Sequence, residues 1–200
     1  YQSRQGWKQH EYSCHKYQTL SEYVRTPPRQ AVNHGYGAFL SVWATLSSPA
    51  FDYYKHLCYR PDQNGRLKKL VTRTWLDQLN PQGLAYWHMD DGSISSKTGA
   101  VRLHTEGFSL AENQTISQYF LEKWNIAALP HQYRGYCVIH MTLDSSRKLL
   151  KLISPFVIPS MSYKVTYSKV MHEERTCSSC GVRFSPIGVQ KGQSHEEVYC

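Results

Sequence analysis

Acidic residues are scarce in this chain: 15 Asp and Glu stand against 23 Lys and Arg over 200 residues, leaving a formal charge of +8. Long apolar runs are missing as well. No stretch approaches the roughly 18 residues that a bilayer-spanning helix needs, which excludes a helical membrane anchor within this sequence. The opening segment has no signal-peptide pattern, and the chain begins on Tyr1 instead of Met. Cysteine is present without forming a disulfide framework, because Cys14, Cys58 and Cys137 stand apart while Cys177, Cys180 and Cys200 gather at the end. That usage fits an intracellular, reducing compartment and a metal site, in an organelle, a nucleus or a bacterial or phage host alike. A hydrophobic fraction of 40% with 13% aromatics is too rich for a disordered chain. The basic balance points to a polyanionic partner, most simply nucleic acid, with an ordinary basic enzyme as the alternative.

Periodicity divides the chain. Gln9 to Val24 predicts a helix with Cys14, Tyr17, Leu20 and Val24 on one face, and Pro27-Pro28 breaks it. From Arg29 to Leu46 the period falls to two: Leu40, Val42, Ala44 and Leu46 alternate with Ser41, Trp43 and Thr45, and Gly35 and Gly37 mark a hairpin. Ser48-Pro49 starts another helix with the stripe Phe51, Tyr54 and Cys58, and a basic stretch follows from Asn64 to Leu70. The same order then recurs. Ser109 and Glu112 form a capping box before a helix with Ile116, Phe120 and Trp124 on its core face. Two strands flank Gly135, with Cys137, Ile139 and Met141 on one side and Arg134, Tyr136 and His140 on the other, and a helix from Asp144 to Ser154 turns Leu149, Leu150 and Ile153 inward. Gln5-Gly6-Trp7 and Glu106-Gly107-Phe108 lead into the two halves, so we read an internal duplication of a mixed α/β unit, about 95 to 101 residues apart.

One segment has no counterpart. Asn80-Pro81 supplies an N-cap and first helical position, and Gly92 a C-terminal stop, which predicts a helix of about nine residues. Asp90 and Asp91 then fall at the negative end of the helix dipole, where a carboxylate is unfavourable by roughly 0.3–1 kcal/mol. A divalent cation would reverse that sign. On the residues alone, the other reading is that Asp91-Gly92 is a turn dipeptide leading into the next strand. Tyr1 matches Arg102 by the repeat, so the counterpart of this helix is expected upstream of Tyr1 or not at all.

Leu84-Ala85-Tyr86-Trp87-His88-Met89-Asp90-Asp91-Gly92 resembles the signature of the LAGLIDADG homing endonucleases, in the branch written Leu-Ala-x-Trp-x-Met-Asp-Asp-Gly. Arg102 to Thr105, Phe108-Ser109 and the segment Pro155 to Lys164 resemble that branch further downstream, so the likeness covers roughly residues 1 to 166. It implies an α+β fold of two pseudo-symmetric αββαββα repeats, the first here lacking its leading signature helix, in a monomer. The expected division is a first repeat over 1–79, a second over 80–170, and a tail over 171–200. It also implies metal-assisted hydrolysis of phosphodiesters in a long double-stranded DNA site read through the major groove. Asp91, with Asp90 beside it, would hold Mg²⁺; Gln5 and Glu106 would take the water-orienting position. Lys164 and Lys69 would stand near the scissile phosphate, where they and Lys68 could equally be plain phosphate contacts. Arg29, Asn33, Lys68, Arg102, His104, Arg134 and Tyr136 are the candidate DNA contacts, on outward strand positions or basic segments. The alternative function is an inactive nucleic-acid binder of the same descent, either an intron-RNA maturase or a structural RNA binder.

The tail is a separate motif. Cys177-x₂-Cys180, with Cys200 beyond it, offers three thiolates to Zn²⁺, completed by His195, His172 or a cysteine past the end. The alternative is a pair of free surface thiols or a redox pair.

Overall fold

A computed structural model describes residues 1–33, 38–166, 175–176 and 183–184. Its second half is a complete αββαββα unit: α4 (Pro81–Asp91), β6 (Gly92–Ile94), β7 (Val101–Leu103), α5 (Leu110–Trp124), β8 (Ala128–Tyr133), β9 (Tyr136–Met141) and α6 (Leu143–Ile153). The strands form one antiparallel sheet in the order β6-β7-β9-β8. The first half holds β1 (Gln2–Gly6), α1 (His10–Thr19), β2 (Arg29–Asn33), β3 (Ala38–Ala44) and α2 (Asp52–Cys58), then a hairpin of β4 (Tyr59–Pro61) and β5 (Leu67–Lys69), and finally α3 (Arg73–Leu76). Its sheet, β1-β3-β2, is also antiparallel. A two-stranded ribbon, β10 (Arg175–Thr176) and β11 (Arg183–Phe184), lies in the tail. The mixed α/β class expected from the duplication is the one found. No helix among the described residues is long and apolar enough to cross a membrane.

Local sequence explains the second repeat well. Asn80 accepts from the Gly83 amide at 2.8 Å with Pro81 at the first position of α4, and the Ser109–Glu112 capping box is formed in full at the start of α5. Leu84, Ala85 and Met89 of α4, Ile116, Tyr119 and Phe120 of α5, Ile139 and Met141 of β9, and Leu149 and Ile153 of α6 share one buried core. Arg134 and Gly135 both take positive φ, 50° and 84°, as a tight hairpin turn requires. Arg134 therefore sits at the turn between β8 and β9, not on an outward strand position.

The first repeat departs from the periodic reading. Helix α1 buries Tyr12, Ser13 and Lys16, whereas Cys14, Tyr17 and Leu20 are only half-buried. The strand face beneath it is Ser41 and Trp43, both buried; Ser41 Oγ and Trp43 Nε1 donate to Ser13 Oγ. Leu40 and Val42 alternate to the opposite face, so the apolar parity of β3 marks the outside of this sheet. Tyr54, expected in an apolar stripe, is exposed on α2. The basic stretch before Leu70 is the β4–β5 hairpin, turned by Asp62, whose Oδ1 accepts from the Asn64 and Arg66 amides.

Burial also fixes the offset between repeats. Buried Ser13 of α1 corresponds to buried Asn113 of α5, and Lys16 to Ile116, which is 100 residues for both pairs. The lead-in match of Gln5 with Glu106 is one residue out of step, and in a strand a one-residue slip moves a side chain to the other face.

Candidate active site

Helix α4 delivers Asp90 and Asp91 to its C-terminal end, between the two sheets. Gly92 follows with φ −91°, so the glycine is not there for a left-handed cap. Its reason is steric: a Cβ would lie 2.1 Å from His88 Nδ1 and 2.5 Å from the His88 carbonyl oxygen. His88 is buried and donates from Nε2 to the Lys164 carbonyl at 2.7 Å. Burial pushes its pKa down, which keeps the ring neutral at pH 7. That bond ties the segment Pro159–Lys164 to α4, and Lys164 Nζ in turn donates to the Gly92 carbonyl at 2.8 Å.

The two aspartates have different surroundings. Asp90 Oδ1 accepts from Gln5 Nε2 at 2.7 Å and from Lys16 Nζ at 2.9 Å, both from the first repeat. The Asp91 backbone carbonyl accepts from the His104 amide at 2.8 Å, while its carboxylate takes no hydrogen bond from the described residues. Its pKa is raised, first by dehydration within the crowded helix end and then by Asp90, against the opposing pull of Lys69, Lys164 and His104. Lys164 is held below its ordinary value by burial, although both aspartates pull it up. An ionised carboxylate with hard oxygen donors, no protein donor of its own and a like charge beside it fits a hard divalent cation. Such a cation takes one or two carboxylates and keeps several waters. Among the described residues no three His, Cys, Asp or Glu side chains gather as a larger ligand set.

The expected site residues separate into groups. Asp91, Asp90, Lys164 and Lys69 share one electrostatic neighbourhood, and Gln5 joins it through Asp90. Glu106 does not: it faces outward, and its Oε1 lies 2.9 Å from His104 Nδ1. Dehydration raises the Glu106 pKa, but the bond with His104, a bond from its own backbone amide and the positive charges of His104 and Arg102 together outweigh it and hold the carboxyl below its usual value. Arg102, His104 and Tyr136 are exposed on the outer face of the second sheet, and Arg29 on that of the first. With Glu106, His131, Val138 and His140, Arg102 and Tyr136 line a surface concavity of about 400 Å³. Lys68 is exposed on β5. Asn33 lies on β2, its side chain outside the described residues, as are Cys177, Cys180, His195 and Cys200. The residue that the sequence reading missed is Lys16, a buried lysine in α1. No periodic signal marks it, because only the fold brings it to Asp90.

Comparison with known proteins identifies the family. Residues 1–149 match the LAGLIDADG DNA endonuclease family. The chain belongs to that family. A protein of Mycosarcoma maydis named "Probable intron-encoded DNA endonuclease 3" is 34% identical over 130 residues, covering 64% of this chain and 96% of its own length. The cytochrome b mRNA maturase bI2 of Debaryomyces hansenii is 37% identical over 104 residues, covering 48% of this chain and 37% of its own. Among solved structures, the homing endonuclease I-WcaI bound to its DNA recognition sequence superposes with a TM-score of 0.71 and 25% identity. That superposition covers 83% of this chain and 74% of the neighbour. The stretch of this LAGLIDADG chain that matches the family spans α4, which ends on Asp90 and Asp91.

Proposed function

We propose that this LAGLIDADG protein is a homing-type endonuclease that binds double-stranded DNA across the outer faces of its two sheets and hydrolyses phosphodiester bonds with Mg²⁺ held at Asp91. The carrying observation is the unbonded Asp91 carboxylate at the end of the signature helix, flanked by Lys164 and Lys69. A divalent cation bound there supplies positive charge against the phosphate and acidifies a water. The chain's own residues do the rest. Asp91 holds a formal negative charge where the helix dipole disfavours one. Lys164 is fixed by the Gly92 carbonyl and, through its backbone, by His88, so its ammonium is poised against phosphate oxygens without a search through rotamers. Lys69, exposed on its hairpin, adds a second cation from the first repeat. Asp91→Asn is expected to abolish nicking of a target-bearing plasmid in Mg²⁺, by at least about a hundredfold, while DNA binding persists. Undiminished cutting by that variant would remove Asp91 from the site.

A second reading has its own support. The likeness to the cytochrome b mRNA maturase favours an RNA-binding role on the same scaffold, which would leave Asp91 dispensable. A binder without nuclease activity would protect structured intron RNA and show no nicking with either residue at position 91.

For the tail we propose a zinc knuckle built on Cys177, Cys180 and Cys200, with His195 as the fourth ligand. The pairing of Arg175–Thr176 with Arg183–Phe184 across the connection 177–182 supports it, since that connection contains both cysteines of the Cys-x₂-Cys pair. A chelator is expected to expose residues 172–200 to limited proteolysis; unchanged resistance would count against zinc.

A further inference from the structure

The two sheets present outer faces of different chemistry. On the second, Arg102 pairs with His140, and the alternation continues through His104 and Glu106 on the same side. His131 lies across from Val138, its ring centroid 5.0 Å from that of His140. This face is dense in hydrogen-bonding side chains, donors and an acceptor together, and its apolar members, Val138 and the exposed Leu129 across from His140, lie among them instead of forming a central island. On the first sheet, Ser41 and Trp43 turn inward to Ser13, so Leu40 and Val42 turn outward. Leu40 pairs with Ala31 on one side and Gly6 on the other, and Val42 pairs with Arg29 and Arg4. The middle of that face is therefore an apolar island, half-exposed, with an arginine at each edge.

Both faces run up to the same site. The His104 amide reaches the Asp91 carbonyl, and Gln5, next to Gly6 in β1, reaches Asp90. Duplex DNA lying along them presents phosphates at the edges and base edges in the middle. The flanking arginines suit the phosphates. The island suits the one apolar group that a major groove offers, the thymine methyl. Arg102 and the histidines suit guanine and adenine acceptors, and Glu106 an exocyclic amino group.

Resting on the nuclease reading above, we propose that the target is chemically asymmetric: the half bound by the first repeat is thymine-rich and read by methyl contact with Ala31, Leu40 and Val42. The half bound by the second repeat is read by hydrogen bonds. Apolar contact distinguishes thymine from cytosine by its methyl group but has little grip on purine edges, so the first half tolerates more purine variation.

The test is binding-site selection with the full chain on a random duplex library in chelator, so that cleavage does not intervene. Each thymine of the enriched site is then replaced by deoxyuridine, which keeps base pairing and removes only the methyl group. The expected result is a loss of about fourfold in affinity per contacted thymine in one half and none in the other. Leu40→Ser with Val42→Ser is expected to erase that penalty and to relax base preference in the same half only. A penalty that is absent, or equal in both halves, on the wild-type chain overturns the inference while leaving the endonuclease reading intact. Failure to enrich any site overturns both. Because the deoxyuridine series uses the unaltered protein, poor folding of the double variant does not blunt the test.

Discussion

Asp90 and Asp91 are adjacent in sequence and opposite in circumstance. Asp90 has a lysine and a glutamine on one oxygen. Asp91 has dehydration and a neighbouring carboxylate, and its pKa is raised accordingly; it also lies at the negative end of α4. A carboxyl whose folded pKa exceeds its unfolded value binds its proton more tightly in the native state. Ionising Asp91 therefore costs stability, progressively as pH rises from the ordinary carboxylate range through the folded pKa. Asp91→Asn removes it. Without divalent cation at pH 7, the variant is expected to melt about 1–3 °C above the wild type, the scale of roughly 0.3–1 kcal/mol for one charge at a helix end. At pH 4 the gap should narrow. Thermal melts at both pH values in chelator measure it, and a variant that melts lower at pH 7 contradicts the electrostatic account. Loss of cutting with a gain in stability is what a site residue with no structural duty should show.

At the scale of elements, legibility followed the chemistry of the buried face. Helix α4 was readable because Asn80, Pro81 and Gly92 bracket it and its buried side is apolar. Helices α5 and α6 were readable for the same reasons, with Ile116, Phe120, Leu149 and Ile153 facing the core as their spacing demands. Periodicity locates helix α1 but not its buried face. A periodic search weights Cys14, Tyr17 and Leu20, while the helix in fact packs through Ser13 onto a polar strand face and through Lys16 onto an aspartate. Hydrophobic pattern cannot report a face made of hydrogen bonds. The same limit explains the slip between Gln5 and Glu106. The motif aligns them by composition, but strand parity decides direction, and only buried Ser3 and Ser41 reveal it. The place of Asp91 at the end of α4 is legible from the residues that bracket the helix. The isolation of Asp91 from donors, and the capture of Asp90 by the first repeat, depend on contacts between residues some 70 to 85 positions apart, which no local spacing encodes.

For the molecule as a whole, the question is what holds one repeat against the other beside the site. The Lys16–Asp90 pair joins helix α1 of the first to helix α4 of the second at 2.9 Å, with side-chain exposures of 7% and 32%. Gln5 and the Tyr12 hydroxyl, which donates to the Tyr86 carbonyl, add bonds of the same kind. A pair this unequally buried should respond unequally. Asp90→Asn leaves a buried ammonium without its counter-charge and is expected to cost about 2–4 kcal/mol, whereas Lys16→Met leaves a half-open carboxylate still bonded to Gln5 and costs about 1 kcal/mol. The double variant should be less damaged than the sum, with a coupling of about 1–3 kcal/mol by denaturant unfolding. Additive losses would mean that the two residues do not meet in solution. If the pair's duty is to dock the repeats, Asp90→Asn should also lower the cooperativity of unfolding while its residual cutting tracks the folded fraction. Asp91→Asn should instead remove cutting from a fully folded chain. Opposite outcomes from neighbouring aspartates would assign one carboxylate to assembly of the site and the other to its chemistry.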